Sequence, residues 1–401
     1  MNLSSGYPYW LIRDGLPYDY QPLDKNISTD VAILGGGISG ALVGWYLIKA
    51  GVKCIIVDTR TIGLGSTCAS TSLLQYELDI PLCRLADKIG LRNAMNAYRQ
   101  SASSIDKLEK IAGEIGFSQF KKCKSLFYTA YKKDIPLIKE EYNVRKNIGL
   151  DVQLMGEKDI STYAGFSAPA AILSGQAAQT DAYLFTHALH QDSIKRGALI
   201  FDRTNAKKIE HHKKGITIVT GKGYKINSNK LVYANGYEAV NYIKKKIVKL
   251  HSTYAVCSEQ GNSIDLPFNQ KCLLWNTSTP YLYMRTTPDN RVLIGGRDEV
   301  FSDPIKRDKL LPLKTKQLSK DFKKLFPRFD FNPEFSWCGI FGETEDGLPF
   351  IGPYKNLENS LFALGYGGNG ITFSQIAAEI LKDIITGKKK KVPGIFSFER
   401  V

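Results

Sequence analysis

The pattern of apolar and polar residues predicts a strand, a helix and a second strand near the start of the chain. "DVAIL" (Asp30 to Leu34) is a short apolar run of the kind found in strands buried on both faces. Residues 38–50 follow with helical spacing, and Gly51 stands where a glycine would end that helix. "KCIIVD", which ends at Asp58, predicts the second buried strand. This order predicts a βαβ unit.

The middle of the chain has a different pattern. Residues 80–163 show mostly amphipathic helical spacing, including a helix over 91–115, and another helix is predicted over 182–196. From residue 215 to about 335 apolar and polar residues alternate in short runs, which predicts antiparallel strands. One basic helix, between residues 308 and 326, interrupts these strands.

The C-terminal part contains a second strand-to-helix junction. "WCGIFGETEDGLPFIGP" (Trp337 to Pro353) is punctuated by glycines and predicts a loop and a sheet edge. "LFALGY" then predicts a strand, and "GYGGNGIT" (Gly365 to Thr372) predicts a glycine loop. Apolar residues from Phe373 to Ile384 recur at helical spacing after it. The two glycine clusters of the chain therefore both precede a helix.

Length and composition fit a globular protein of two or three domains. The chain has 401 residues, 43% of them apolar, which is enough for sizeable cores. The net charge of +15 includes short basic runs at residues 242–249 and 388–391. These runs lack interleaved aromatic residues, so we interpret them as solvated surface and expect no nucleic-acid partner. Attraction to nucleic acid, anionic lipid or an acidic substrate is the alternative.

Three further features indicate the protein's environment. The seven cysteines are odd in number and form no C-x-x-C pair, which favours a reducing cytoplasm and indicates neither disulfides nor a zinc site. Residues 1–23 lack the apolar core of an export signal. Residues 31–48 carry no charge over 18 positions, but their five glycines argue against a membrane span. The five histidines show no metal or triad spacing, so no metal is expected.

The first glycine cluster has the spacing of a dinucleotide-binding loop. Gly35, Gly37 and Gly40 form G-x-G-x-x-G between the predicted strand and helix, and Asp58 lies 18 residues beyond Gly40. The carboxylate of Asp58 would accept hydrogen bonds from ribose hydroxyls and repel a 2′-phosphate, which disfavours NADP. Arg60, two residues further on, could accommodate a 2′-phosphate, so Asp58 alone does not exclude NADP. FAD and NAD both remain.

Five motifs in order resemble one enzyme superfamily. "GGGISG", "GLGSTCAS", "LVYANG", "GETEDGLPFIG" and "GYGGNGIT" together resemble the FAD-dependent D-amino-acid oxidase, glycine oxidase and sarcosine oxidase superfamily over nearly the whole chain. The resemblance implies an α/β (α+β) fold with a Rossmann-like FAD-binding domain of the glutathione-reductase type. This domain would comprise residues 1–88, 164–240 and 334–401. An antiparallel-sheet-plus-helices substrate domain would comprise residues 89–163 and 241–333.

The resemblance also implies the chemistry and the cofactor contacts. The expected reaction oxidises the C–N bond of an amine or amino acid by hydride transfer to flavin N5, and water hydrolyses the resulting imine. A helix beginning near Gly370 would direct its free N–H groups at the pyrimidine edge of the flavin. The expected cofactor contacts are Gly35, Gly37, Ile38, Ser39, Gly40, Asp58, Thr59, Arg60, Gly65, Ser66, Thr67, Ala234, Gly236, Gly339, Gly367, Gly368, Asn369, Gly370, Ile371 and Thr372.

The substrate-binding residues differ from the family pattern. Phe341 occupies the position of an arginine that binds the substrate carboxylate in glycine oxidase-like members. Either Arg285 or Arg297 takes over this role, or the substrate is an amine without an α-carboxylate. Tyr281 and Tyr283 are the expected aromatic contacts, through cation–π attraction and a hydroxyl group, with core packing as the alternative.

Two further positions concern the flavin. Gly339 stands where sarcosine oxidase-like members carry the cysteine that tethers FAD, and Cys338 comes one residue too early. A shift of one residue turns a strand side chain to the other face, so we expect non-covalent FAD. Thr372 replaces a lysine that helps reaction with oxygen, so the electron acceptor is O₂ or an unknown compound.

The sequence therefore predicts a cytoplasmic FAD-dependent amine or amino-acid oxidase or dehydrogenase. The N-terminal arm "SGYPYWLIRDGLPYDY" is also found in relatives that resemble γ-glutamylputrescine oxidoreductase, which favours a polyamine-derived or secondary amine. Two alternatives stay open. One is an NAD-linked Rossmann dehydrogenase, and the other is a flavoprotein that acts on nucleic acid, of the transfer-RNA wobble-uridine modification type.

Overall fold

The fold combines two large sheets with helices packed on both. A computed structural model describes residues 2–261, 268, 272–355 and 357–400. The strands are β1 (Ser4–Gly6), β2 (Ile27–Leu34), β3 (Cys54–Val57), β4 (Leu73–Gln75), β5 (Lys121–Tyr128), β6 (Val152–Gly156), β7 (Ala170–Gln179), β8 (Leu199–Phe201), β9 (Ala206–His212), β10 (Gly215–Thr220), β11 (Lys225–Tyr233), β12 (Lys249–Ser258), β13 (Cys272–Asn276), β14 (Tyr283–Thr286), β15 (Val292–Glu299), β16 (Pro333–Glu343), β17 (Phe350–Pro353) and β18 (Ser360–Leu364). The helices are α1 (Tyr9–Asp14), α2 (Ile38–Lys49), α3 (Leu82–Ile89), α4 (Leu91–Glu114), α5 (Ile135–Asn147), α6 (Glu157–Ala164), α7 (Ala182–Lys195), α8 (Pro304–Leu325) and α9 (Gly370–Ile385).

The first sheet has the parallel core that the βαβ pattern predicts. Its strand order is β17-β18-β11-β2-β3-β8, with β9 and β10 joined to β11 as antiparallel strands. The strands from β18 to β8 run parallel, and Val31 of β2 pairs with Cys54 of β3. Residues 31–34 and 54–57 are buried, because helices cover one face and the β9–β10 side covers the other.

The second sheet is larger and mainly antiparallel. Its order is β1-β16-β12-β15-β14-β13-β5-β7-β4, and β6 also pairs with β7. The parallel pair β13–β5 is its exception. Leu318 and Phe322 of α8 pack against Val256 and Ile294 of the sheet in one apolar cluster. The predicted fold class, with parallel and antiparallel sheets and interleaved helices, is confirmed.

Three segments differ from the predicted elements. Lys121–Tyr128 and Val152–Gly156 are strands inside the interval predicted as mainly helical, because each pairs with β7. Pro333–Glu343 is an eleven-residue strand rather than a loop and edge, because β1 pairs with one side of it and β12 with the other. Its glycines fit this packed position, since a Cβ at Gly342 would lie 2.5 Å from Val248 Cγ1.

Sheet membership crosses the predicted domain intervals. Residues 170–179, predicted to belong to the cofactor domain, form β7 of the second sheet, and residues 333–343 form β16 of that sheet. In the other direction α4, predicted to belong to the substrate domain, shares an apolar cluster with α2 and α9. Backbone pairing and helix packing between distant segments decide these memberships, and local residue patterns do not record them.

No helix in the described part of the chain is both long and apolar enough to span a lipid bilayer. The uncharged run at residues 31–48 instead contains the end of β2, a glycine turn and most of α2. Its apolar side chains are used for packing between the sheet and the other helices.

A buried ion cluster anchors the segment that follows β4. Arg145 of α5 donates to Glu141 at 2.7 Å and to Glu77 at 3.3 Å, and all three side chains are fully buried. Glu141 also accepts the N–H groups of Leu82 and Cys83 at the start of α3. Burial alone would raise the pKa of Glu141, but Arg145 and these N–H groups outweigh burial and lower it.

We expect Arg145→Met to destabilise the protein by about 3–5 kcal/mol, because two buried carboxylates lose their cation. Lys49→Met is the control, because Lys49 pairs with Glu114 at the surface, where such a pair contributes at most about 1 kcal/mol. Urea unfolding of the protein with its cofactor measures both. A loss below about 1 kcal/mol for Arg145→Met would show that the cluster does not anchor this region.

Candidate cofactor and substrate site

A cavity of about 540 Å³ lies where the two sheets meet. On one side it is lined at the carboxyl ends of four strands, β2, β3, β11 and β18. On the other side it is lined by residues of β12, β15 and β16, together with Tyr281 and Tyr283. The carboxyl ends of parallel strands are the usual ligand-binding edge of an open α/β sheet.

The first glycine loop turns sharply into α2. Gly35 has φ +105°, and a Cβ there would lie 2.5 Å from the carbonyl oxygen of Ala234. A Cβ at Gly40 would lie 1.8 Å from the carbonyl oxygen of Gly35, so Gly40 allows the helix to pack on the loop. Gly37 has no side chain to cap the N-terminal end of α2, and the Thr67 hydroxyl accepts the N–H group of Ile38 at 3.1 Å. The positive end of the helix still faces the cavity, where a phosphate can bind.

Two carboxylates lie at one end of the cavity. Asp58 accepts the N–H groups of Gly36 at 2.7 Å and Arg60 at 2.8 Å, and burial raises the pKa of Asp58 although these N–H groups lower it. The guanidinium of Arg60 donates to both oxygens of Glu238, at 3.0 and 2.7 Å. Arg60 is therefore neutralised by Glu238, and this end fits a ribose with free hydroxyls rather than a 2′-phosphate.

The helices that follow the two glycine loops are in contact beside the cavity. Ser39 Oγ, near the start of α2, lies 2.7 Å from Ser374 Oγ, near the start of α9. The N-terminal end of α9 also lacks a side-chain cap. Asn369 instead donates to the carbonyl oxygens of Gln75 at 3.2 Å and Glu77 at 2.8 Å. Both positive helix ends are thus directed into one space.

The polar atoms of this space fit a dinucleotide. Ser66 Oγ is buried and has no hydrogen-bond partner among the described residues, although Ser66 lines the cavity. A Cβ at Gly37 would lie 2.8 Å from Thr67 Oγ1, so the glycine keeps a cradle open beside this threonine. An unpartnered hydroxyl beside the N-terminal end of a helix supplies donors of the kind that a pyrophosphate needs.

Asp79 joins the second glycine loop to the tyrosines of the opposite wall. Its carboxylate accepts the N–H group of Gly368 at 2.8 Å and the hydroxyl of Tyr281 at 2.9 Å. Burial raises the pKa of Asp79, and these two hydrogen bonds lower it. The ring of Tyr283 lies over Gly295, where a Cβ would come within 2.4 Å of the Tyr283 hydroxyl. Both tyrosines are therefore held in place at the cavity wall.

Arg285 and Arg297 do not line the cavity. Arg285 is buried and donates to the carbonyl oxygens of Ser72 at 2.9 Å and Thr180 at 2.8 Å, and burial lowers its pKa to about 10. Arg297 forms a two-bond ion pair with Asp321 of α8. The expectation that one of them replaces the missing arginine is wrong in this geometry. The guanidinium of Arg285 is held by backbone carbonyl groups, and that of Arg297 is held by Asp321, so neither lines the cavity.

Alternation along β16 separates Cys338 from the cavity. Gly339 and Phe341 line the cavity, while Cys338 Sγ lies on the other face, 3.1 Å from Ser5 Oγ. The ring of Phe341 stacks on His251 with 5.2 Å between ring centroids. None of the seven cysteines, all of which the structure describes, lines the cavity.

Most of the residues predicted from the sequence come together here. The exceptions besides Arg285 are Gly40, Asn369 and Thr372, which pack behind the cavity, and the Thr372 hydroxyl donates to Asn369 O at 2.9 Å. The predicted residues that line the cavity are Gly35, Gly37, Ile38, Ser39, Asp58, Thr59, Arg60, Gly65, Ser66, Thr67, Ala234, Gly236, Tyr281, Tyr283, Gly339, Gly367, Gly368, Gly370 and Ile371.

Comparison with known proteins identifies the family. The profile of the family described as DAO, FAD dependent oxidoreductase, matches residues 30–384. The chain belongs to this family. FAD is therefore the cofactor of this oxidoreductase, and the NAD-linked alternative is set aside. No group of three or more histidine, cysteine or acidic residues within the described residues is placed to hold a metal ion.

Relatives of this FAD-dependent oxidoreductase cover nearly all of it. Over 394 residues it is 23% identical to a Bacillus subtilis (strain 168) protein named as a Rieske 2Fe-2S iron-sulfur protein, YhfW, covering 98% of this chain and 75% of that protein. Over 384 residues it is 24% identical to the glycine oxidase of Geobacillus kaustophilus (strain HTA426), covering 90% and 93%.

Solved structures show the same fold. Glycine oxidase from Geobacillus kaustophilus matches with a TM-score of 0.77 at 20% identity, covering 93% of this chain and 99% of that one. L-proline dehydrogenase from P. horikoshii matches with a TM-score of 0.76 at 20% identity, covering 92% and 96%. At this level of identity the likeness concerns the fold alone.

Sequence reasoning missed three acidic residues of the oxidoreductase's cavity region: Asp79, Glu238 and Asp298. Asp298 directly follows Arg297 in "GGRDEV", and the local pattern does not show which of the two side chains faces the cavity. Asp79 lies in a short loop whose partners are about 200 and 290 residues away. Their charges were visible in the sequence, but their position was not.

We expect Gly37→Ala to weaken FAD binding by about tenfold or more, because the new Cβ would displace Thr67 and fill the phosphate cradle. Gly113→Ala is the matched control, because nothing lies within 4 Å of a Cβ at that position in α4. The ratio of flavin to protein absorbance and a titration of the apoprotein with FAD give the result. Unchanged FAD affinity in Gly37→Ala would contradict this placement of the pyrophosphate.

Proposed function

We propose that this protein oxidises the C–N bond of a small amine or amino acid. The supporting observation is a single cavity that continues from Asp58, past both helix ends, to a wall of Tyr281, Tyr283 and Phe341. A dinucleotide needs the first part of this space, and the second part leaves room for a small molecule beside it. Glycine oxidases and D-amino acid dehydrogenases among the relatives support this reaction class.

The residues present would hold FAD without a covalent bond. The N-terminal end of α2 with Ser66 and Thr67 would bind the pyrophosphate, and Asp58 would bind the ribose of the adenosine. The N-terminal end of α9 would stabilise negative charge on the reduced ring. When bound, FAD supplies the acceptor at N5 for the hydride that leaves the carbon attached to nitrogen.

The protein's part in the reaction is to position the substrate and to exclude water from it. Asp79 accepts a hydrogen bond from the Tyr281 hydroxyl, and the Tyr283 ring packs on Gly295, where no side chain displaces it. The wall that faces the substrate is therefore held in position. The nitrogen lone pair forms the new C=N bond as the hydride leaves. Water then hydrolyses the imine to a carbonyl compound and a free amine. The electron acceptor that regenerates the cofactor is O₂ or another oxidant.

The position of the arginines favours an amine without an α-carboxylate. Phe341 lines the cavity, and neither Arg285 nor Arg297 reaches it. A phenyl ring cannot pair with a carboxylate, so the family's usual means of binding an amino acid is missing here.

We further propose a cytoplasmic location, since all seven cysteines are free and buried. A small molecule, rather than nucleic acid, is the proposed substrate.

Anaerobic mixing with candidate substrates tests the proposed reaction. We expect the yellow holoenzyme to bleach with members of an amine set and more slowly with D-amino acids, N-methyl amino acids or proline. The reason is that, within the described residues, no cationic side chain lines the tyrosine end of the cavity to bind a substrate carboxylate. Stopped-flow absorbance of the flavin records the rates. If none of these compounds bleaches the flavin, C–N oxidation is not the reaction.

Phe341→Arg tests the carboxylate inference separately. We expect this variant to gain about tenfold or more in kcat/KM on glycine or D-alanine, because a guanidinium on this strand face can pair with a carboxylate through two hydrogen bonds. Phe341→Met is the uncharged control. Equal activity of both variants on these amino acids would indicate that the missing arginine is not what excludes them.

A further inference from the structure

An irregularity in β15 directs one acidic side chain into the cavity. Ser252 of β12 pairs with Glu299, and Tyr254 pairs with Gly296, so Arg297 and Asp298 together stand opposite Thr253. This is a β-bulge, and Arg297 within it has φ +58°, a left-handed conformation that is unfavourable for a residue with a side chain. Of the two bulge residues, Asp298 lines the cavity and Arg297 does not.

Asp298 lacks a complete set of hydrogen-bond partners. Its Oδ1 atom is buried and has no partner among the described residues, in contrast to Asp79, both of whose oxygens accept hydrogen bonds. A buried carboxylate oxygen without a donor is costly unless a ligand supplies one. The cavity wall is the side from which a ligand can do so.

The charges around this end of the cavity are acidic. Among the described residues that line the cavity, Arg60 is the one cationic side chain, and Glu238 neutralises it near Asp58. Tyr281 and Tyr283 flank the Asp298 end, with 5.9 Å between their ring centroids. A carboxylate beside aromatic rings is the chemistry that recognises an ammonium group.

The ammonium group bound there is distinct from the nitrogen that is oxidised. Loss of hydride from the neighbouring carbon requires a lone pair on the reacting nitrogen, so that nitrogen must be neutral. A nitrogen that stays protonated beside a carboxylate has no such lone pair. An ammonium group that stays protonated beside Asp298 while the hydride leaves is therefore a second nitrogen of the substrate.

We propose that Asp298, flanked by Tyr281 and Tyr283, binds a second, positively charged nitrogen of the substrate. The substrate class is then an aliphatic amine with a further cationic group and no α-carboxylate, such as a diamine. The identification of the bound cation as a substrate rests on the proposed C–N oxidation, but binding of a cation at Asp298 can be tested without any turnover.

Binding of tert-butylammonium to the oxidised holoenzyme tests the site. Its N–H groups can donate to Asp298 Oδ1, and the carbon attached to its nitrogen carries no hydrogen, so it cannot be oxidised. Calorimetry measures its affinity. We expect Asp298→Asn to weaken its binding about tenfold or more. Binding of tert-butanol, a neutral compound of similar shape, should change by less than about twofold. Glu299→Gln is the matched control, because Glu299 pairs with Lys314 and does not line the cavity.

A pH series on the unchanged protein gives a second reading that needs no variant. Burial, opposed by a hydrogen bond from Thr253, raises the pKa of Asp298 to about 7. The nearby charges of Asp79 and Glu343 raise the pKa of Asp298 further, and Lys314 lowers it. His251 pairs with Glu343 at 3.3 Å. Burial also raises the pKa values of the neighbouring Tyr281 and Tyr283. tert-Butylammonium should therefore bind more tightly as pH rises through about 7, and Asp298→Asn should remove this dependence.

Three results would overturn the proposal. One is equal tert-butylammonium affinity in Asp298→Asn and the unchanged protein. The second is tighter binding of propionate than of tert-butylammonium, increasing as pH falls, which would show a protonated Asp298 that donates to an anion. The third is bleaching of the flavin by monoamines but not by diamines. Failure of every amine tested to bleach the flavin, with the cation site intact, would count against the proposed reaction and leave the site standing.

Discussion

The contact between the N-terminal parts of α2 and α9 determines how this protein is organised. Ser39 Oγ and Ser374 Oγ lie 2.7 Å apart although 335 residues separate them in the chain. Through this contact two helix N-terminal ends, each preceded by a glycine loop, face one cavity. This helix contact requires a glycine at position 40, because any Cβ there would collide with the carbonyl oxygen of Gly35 and move α2. The parallel sheet beneath supplies the strands from which both helices start.

The electrostatics of the cavity change from one end to the other. Positive helix ends and the unpartnered Ser66 hydroxyl suit the phosphates of FAD. Beyond them Asp79 and Asp298 make the substrate end acidic, with tyrosine rings between. Asp79 lies at the boundary, since it binds the Gly368 N–H group on the cofactor side and the Tyr281 hydroxyl on the substrate side. A change at this carboxyl group would therefore affect both halves.

Local patterns in the sequence were sufficient for the cofactor half of the site. The G-x-G-x-x-G spacing, Asp58 and "GYGGNGIT" each lie next to the strand and helix they predict, so the structure confirms those elements. Lys121–Tyr128 and Pro333–Glu343 were mispredicted because distant strands, not their own residues, make them part of a sheet. In the substrate half Tyr281 and Tyr283 line the cavity, but the expectation for Arg285 and Arg297 failed for the same reason. Arg297 and Asp298 are adjacent residues of β15, and at the bulge they form it is Asp298 that lines the cavity.

The central claim is that one FAD molecule joins the two glycine loops, with its ring at the tyrosine wall. A crystal structure of the purified yellow protein tests this most directly. The account predicts adenosine density beside Asp58, pyrophosphate at the start of α2, and the ring between Gly339 and Gly368 with no bond to Cys338. Density for the ring on the Asp58 side, or a nucleotide that does not reach Gly368, would contradict it.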